Sequence, residues 1–228
     1  MNKPLRSRRR YRGRTPEQLA AERRERLLEA ALALFAERGY ANTPIEILCT
    51  TARVATRHFY EEFDGREAVL RALFDDIFEP ASREIGTTLD DGGKDLDARV
   101  SNAIRAGMHY LLEDPRRARV FCLESVGVSR EMETHRRARL HDIAEFIRRY
   151  ADALQASGLL PERDYTLPAV ALMGAVFELI EEWLIRDTGL DAEGLEREVA
   201  LIFRAMIIGA RGYRSTQRPA PGARPNAT

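Results

Sequence analysis

Residues 27–74 read LLEAALALFAERGYANTPIEILCTTARVATRHFYEEFDGREAVLRALF, and the punctuation inside this stretch decides the fold. Leu27, Ala31, Leu34 and Phe35 recur at i, i+4, i+7 and i+8, the spacing of one helix face, and Gly39 follows as a stop. Extended back to Pro16, the pattern predicts a first helix over 16–38. Thr43-Pro44-Ile45-Glu46 then supplies a cap, a proline at the first helical position and a glutamate three residues after the cap, which predicts a second, short helix. Asp64-Gly65-Arg66-Glu67 repeats the arrangement ahead of Leu70, Leu73, Phe74 and Ile77, the core-facing stripe of a further helix. Between the two starts there is room for a helix to about Ala52, a turn at Arg53 and Val54, and a helix from about Thr56 to Glu62. That is a helix-turn-helix unit. Phe59 and Phe63 face the core, so Thr56, Arg57, His58, Tyr60 and Glu61 point away from it. A cation, an imidazole and a phenol on one face suit groove edges and phosphates, and they also suit a plain solvated face.

This stretch resembles the DNA-binding domain of TetR-family transcriptional regulators. The likeness is carried by Phe35-Ala36-Glu37-Arg38-Gly39-Tyr40 at the end of the first helix, Thr43 as the following cap, Phe59-Tyr60-x-x-Phe63, and Glu67-Ala68-x-Leu70, all in matching order and spacing. It covers about a fifth of the chain. The resemblance implies that Thr43 and Tyr60 contact phosphates, that Thr56, Arg57 and His58 reach bases, and that Arg66 holds the DNA backbone. For Arg66 the physics agrees, because helix starts favour anions and arginine adds a fork of donors. Two departures stand out. Where the family usually has Gly, Val and Ser, this chain has Arg53, Val54 and Ala55; an arginine in a left-handed turn and an alanine cap each cost roughly 1 kcal/mol. A helix that begins at Thr56 would make that residue a cap and not a base reader. Glu61 and Glu62 also set two carboxylates near a polyanion, so they must face away or accept from a cytosine amino group.

Outside this stretch the composition bounds the rest. The chain has 228 residues, 36 basic and 36 acidic, with 44% apolar residues and 2 Cys, which excludes global disorder and a disulfide framework. The zero net charge hides a segregation: residues 1–78 hold 15 basic and 12 acidic groups, residues 79–213 hold 18 and 24, and the last 15 residues carry three arginines and no acid. Lys3, Arg6, Arg8, Arg9, Arg10, Arg12 and Arg14 open the chain, which points to a polyanion partner for the N-terminal part or to a solvated tail. Residues 1–15 read as a disordered basic arm and residues 214–228 as a disordered tail. No uncharged stretch is long enough to span a bilayer and no apolar signal segment opens the chain, so the expected location is cytoplasmic, with no membrane partner.

Residues 79–213 predict five further helices, over 95–112, from Pro115 to about Val128, from the cap Ser129 to Ala156, and over 167–185 and 195–210. About nine helices in all give an all-α fold, with a helix-turn-helix DNA-binding domain at 16–78 and a helical effector-binding and dimerisation domain at 79–213. The last two helices are apolar on more than half their circumference, so each must bury two sides. One side is expected to face its own core and the other a twin subunit, in a two-fold four-helix bundle formed by Leu172, Val176, Leu179, Ile180, Trp183, Val199, Ile202, Phe203 and Met206. The alternative is a fully internal core.

No phosphate loop, dinucleotide fingerprint, metal-binding His-Glu-x-x-His or nucleophile elbow is present, so neither an enzyme nor a cofactor or metal site is expected. The family resemblance implies a homodimer on a two-fold operator in double-stranded DNA, most often a repressor released by a small molecule among the middle helices. Polar or aromatic groups on otherwise apolar faces nominate Arg105, His109, Phe121, Cys122, Ser125, Phe146, Phe177 and Trp183, each of which could equally be core packing. Together they favour a small apolar or amphipathic effector. Two rival readings are an all-α protein-interaction module with a vestigial DNA-binding fold and a nonspecific DNA-coating protein.

Overall fold

A computed structural model describes residues 15–90 and 96–212, and among them every regular element is helical. The basic arm and the C-terminal tail lie outside the described residues. Helix α1 (Pro16–Arg38) opens on a capping box the sequence reading passed over. Thr15 Oγ1 accepts from the Gln18 amide at 3.2 Å, and Gln18 Oε1 accepts from the Thr15 amide at 2.8 Å. Gly39 ends the helix at φ +85°. Helix α2 (Ile45–Ala52) is followed by Arg53 in the left-handed conformation, φ 55° and ψ 45°, and α3 (Thr56–Glu62) completes the helix-turn-helix. Arg53 thus takes the strained position expected from its place in the sequence, and its carbonyl accepts a long bond of 3.4 Å from Arg26 of α1.

Helix α4 (Arg66–Asp90) is longer than its stripe predicts and runs straight through Pro80. A proline inside a helix strips the partner from the carbonyl four residues back. Here that carbonyl belongs to Asp76, and the Tyr110 hydroxyl donates to it at 3.5 Å. The expected domain division between residues 78 and 79 therefore falls inside a continuous helix, and one hydrophobic core extends from Leu27 on α1 to Phe203 on the last helix.

The remaining helices are α5 (Leu96–Leu112), α6 (Pro115–Arg119) continued by a π-helical turn (Val120–Glu124), α7 (Arg130–Ala156), α8 (Thr166–Ile185) and α9 (Ala192–Gly212). The helix expected to reach Val128 ends at Glu124, and residues 125–127 form a turn. Asp114 and Ser129 cap α6 and α7 as their positions predict. Helices α4 and α5 cross closely at Gly107, where a Cβ would stand 2.5 Å from Ile85 Cγ1. Polar ties lock α7 to α4: His135 Nε2 and Arg139 Nε each lie 2.9 Å from Asp75 Oδ1, and Ser129 Oγ donates to Glu67 at 2.9 Å.

Candidate nucleic-acid interface and effector cavity

Helix α3 presents the face expected of it. Thr56, Arg57 and Tyr60 are exposed, Tyr60 by 56% despite its size, while Phe59 is wholly buried against the core. The helix begins at Thr56, yet its cap is Ala55, which makes no side-chain bond, so Thr56 is not the cap. Its side chain instead hydrogen-bonds the Cys49 thiol, only partly offsetting the burial that pushes that thiol's pKa up. The carboxylates in this segment are internally engaged. Glu61 accepts from His58 Nδ1 at 2.7 Å, which holds its pKa below the usual carboxylate value, and Arg23 of α1 reaches Glu62 at 3.3 Å and Glu61 at 3.7 Å. The Arg57 guanidinium lies 3.3 Å from His58 Nε2, so cation, imidazole and Glu61 form one connected surface.

One expected DNA contact is corrected, and a second residue has a further role inside the domain. Thr43 is fully buried and donates backwards to the Gly39 carbonyl at 2.8 Å, so its hydroxyl is unavailable to a phosphate, and Pro44 takes the N-cap position it was expected to hold. Arg66 donates to the carbonyls of Ala41 and Thr43, both at 3.1 Å, and lies over the Tyr40 ring at 4.2 Å. Through Nη1 its guanidinium stabilises the loop between α1 and α2, and the residue is half-buried. Arg53, which the sequence reading weighed only as a turn residue, is an exposed cation just before α3.

The second site is a cavity of 530 Å³ enclosed by α4, α5, α7, α8, α9 and the π-helical turn. Its inner end is aromatic. Phe121 of the π-helical turn stacks on Phe74 at 4.3 Å and meets Phe177 at 5.5 Å, and Phe78 stands beside them. Its other end carries the polar lining side chains, namely Tyr150, Arg163 and Tyr165; the rest are aliphatic, aromatic, Met, Gly, Ala or Pro. The Tyr165 hydroxyl is engaged by the Pro161 carbonyl at 2.9 Å, and Arg163 lies over the Tyr165 ring at 5.5 Å.

Of the eight residues nominated for an effector, Phe121 and Phe177 line this cavity. The other six lie elsewhere. Arg105 is exposed, and His109 is 66% exposed and pairs with Glu196 at 3.2 Å. Cys122 and Ser125 are buried outside the lining, with Ser125 Oγ donating to the Phe121 carbonyl at 2.7 Å. Phe146 is half-buried away from it, and Trp183 Nε1 donates to the Leu190 carbonyl at 2.9 Å. The rule that nominated them sought polar groups on apolar faces, whereas the cavity is walled by aliphatic side chains that look like core.

The nine residues expected at the dimer face have mixed environments within the protomer. Leu172, Val176, Phe203 and Met206 line the cavity, Ile180 and Val199 are buried within the protomer, and Leu179 and Trp183 pack against its core. Ile202 and Met206 alone of the nine are exposed, at 37% and 43%. Besides these two, Leu167, Val170 and Ile185 on α8 and Leu201 and Ile208 on α9 are exposed apolar side chains.

Cys122 is chemically quiet. Burial raises its thiol to a pKa of about 12, so it carries no thiolate near neutrality. Ellman's reagent at about pH 8 is expected to leave both cysteines intact in the folded protein and to react with both after denaturation. Rapid modification of the native chain would show that one of them is reachable.

The family "Bacterial regulatory proteins, tetR family" matches residues 27–73. The HTH-type transcriptional repressor DhaR of Mycobacterium sp. (strain GP1) is 29% identical over 83 residues, 36% of this chain and 42% of that protein, so the match spans less than half of that relative. Among solved structures, a TetR-family transcriptional regulator of Syntrophomonas wolfei superposes with a TM-score of 0.73 at 22% identity, covering 83% of this chain and 96% of the other. The transcriptional regulator FadR of Bacillus subtilis, in complex with stearoyl-CoA, gives 0.71 at 19% identity over 79% and 97%. At these identities the two superpositions concern the fold.

Proposed function

We infer that this chain, which belongs to the tetR family of bacterial regulatory proteins, is a sequence-specific DNA-binding repressor that works as a homodimer on a two-fold operator and is released by a small apolar or amphipathic effector. The observation that carries this reading is the continuity of α4, which begins beside the α1–α2 loop and ends in the wall of the 530 Å³ cavity. The functional division between DNA-binding and effector-binding parts then lies within that helix. Thr56, Arg57, His58 and Tyr60 form the DNA-facing surface, with Arg53 beside them. Of the three features that suggest a vestigial DNA-binding fold, Arg53, Ala55 and the paired glutamates, engagement of Glu61 and Glu62 by His58 and Arg23 answers the last.

The effector class follows from the lining. A cavity with apolar walls and one cation among its lining side chains rejects a positively charged ligand, because a buried charge without a partner is costly. A flexible apolar chain with a neutral or anionic end fits, and the FadR complex with stearoyl-CoA supports that class. The outward apolar side chains of α8 and α9 supply the dimer face. Among the described residues no helix is long and apolar enough to cross a membrane, which agrees with a cytoplasmic regulator.

Footprinting on the DNA flanking its own coding region tests the reading: a short symmetric footprint is expected, and uniform coverage or none would overturn it. On that operator, Arg57→Ala should cost about 1–3 kcal/mol mainly on the preferred sequence, whereas Tyr60→Phe should weaken preferred and random DNA alike. Equal losses on both DNAs for Arg57→Ala would remove it from base reading.

A further inference from the structure

The π-helical turn has one residue in each site. Phe121 forms part of the cavity wall, and three residues later Glu124 reaches the DNA-binding domain, where its Oε2 accepts the backbone amide of Tyr40 at 2.8 Å. That amide has no backbone partner of its own, since the chain leaves α1 through Gly39 at φ 85° and ψ 152° and does not curl into a left-handed cap. Glu124 is mostly buried, with 16% of its side chain exposed, so the bond it accepts is shielded from water and is correspondingly strong. Tyr40 leads directly to the helix-turn-helix. Its ring packs edge-on against Phe35 at 5.3 Å on α1, and Arg66 lies over it while holding the carbonyls of Ala41 and Thr43 just before α2.

The turn between Phe121 and Glu124 is an unusual one. The Ser125 amide donates to the Val120 carbonyl five residues back at 3.1 Å, and its hydroxyl takes the Phe121 carbonyl. Such wide turns hold one residue more than an α-helical turn and recur at functional sites. The Phe121 ring is stacked in the cavity wall, and Glu124 follows three residues on in the same turn.

We propose that Glu124 is a positioning residue that holds the helix-turn-helix in its DNA-competent placement by gripping the Tyr40 amide, and that Phe121 releases this grip when an apolar chain enters the cavity beside it. The proposal rests on the cavity being the effector site, and it adds the route by which occupancy is felt at the DNA. An effector acts only through its different affinity for the two states, and here the states differ in whether Tyr40 is held.

The experiment uses the full-length dimer and reads amide hydrogen exchange at Tyr40 together with operator affinity. Glu124→Ala is expected to speed exchange at Tyr40 and to weaken operator binding roughly ten-fold, within the usual range of coupling between sites. Glu124→Gln keeps an acceptor oxygen at the same reach and should recover most of both. Phe121→Met, which keeps an apolar side chain against Phe74 and the cavity, should shift Tyr40 exchange in the same direction while thermal unfolding shows the variant still folded. Palmitate added to the unmodified protein is expected to reproduce the Glu124→Ala behaviour and to have little further effect on that variant. Unchanged Tyr40 exchange and operator affinity in Glu124→Ala would overturn the grip, and a Phe121→Met variant that leaves Tyr40 untouched would overturn the link to the cavity. If the variants behave as expected and palmitate neither binds nor weakens operator binding, the coupling stands and the effector class is what fails.

Discussion

Replacing Leu201 with Asp is expected to give a folded monomer that no longer holds its operator tightly. Leu201 is 58% exposed on α9, and Ile208, one heptad on and 52% exposed, continues the same outward face. Leu167, Val170 and Ile185 are exposed on α8. Large apolar side chains left outward on two long helices suit an interaction surface, and in the proposed dimer a two-fold partner would cover both copies of it at once. A carboxylate there must be desolvated without a partner, at a cost of several kcal/mol that symmetry applies twice. A monomer contacts one half-site only, and the loss of linked binding should weaken operator affinity by roughly a hundred-fold or more. Sedimentation should show half the mass with helical signal retained. A variant that still sediments as the parent does at the same concentration would remove this face from the interface. The outcome differs in kind from that of Val176→Asp, which puts the charge into the cavity of one protomer and should impair folding or effector binding first.

Helix positions were legible wherever a local rule determines them. Ser129 accepts from the Met132 amide at 2.9 Å, and Asp114 from the Arg116 amide at 3.1 Å, because a cap is settled by four neighbouring residues. Thr43 obeys the same local rule on paper, and tertiary structure overrides it. Arg66, far along the chain, takes the Thr43 carbonyl and anchors the loop so that the hydroxyl turns back to Gly39. Pro80 shows the same override in another form, since a proline inside a helix is tolerated where Tyr110 from another helix reaches the stranded carbonyl. That α8 and α9 are apolar beyond a single stripe was readable from their sequences, but which side faces inward was not. Leu172 and Leu201 are the same residue type, and only packing distinguishes a cavity wall from an outer face. The cavity was hidden for a related reason: an empty space lined by Leu, Ile, Val and Ala reads along the chain like a filled core.

Leu172→Trp is the variant that turns this distinction into the second large effect. Leu172 stands on the cavity side of α8, near Phe177 and across from α9, where the 530 Å³ of unfilled space can take an indole. Enlarging a side chain in a tightly packed core typically costs about 1–3 kcal/mol, but at a cavity wall the added volume goes into free space and the expected loss of stability is smaller. The indole then occupies volume that an effector chain would fill. Palmitate binding should weaken by roughly a hundred-fold or more, and release from the operator should be lost in proportion, because a ligand shifts the equilibrium only as far as its affinity for the two states differs. Operator affinity in the absence of ligand should stay close to that of the parent, as α3 and the Glu124–Tyr40 contact are untouched. The result is a repressor that stays on its DNA whatever the effector concentration. Competition binding with palmitate, operator titration and sedimentation on one preparation decide the matter. If Leu172→Trp binds palmitate as the parent does and instead falls apart into monomers, Leu172 belongs to the subunit interface and the cavity is not where the effector sits.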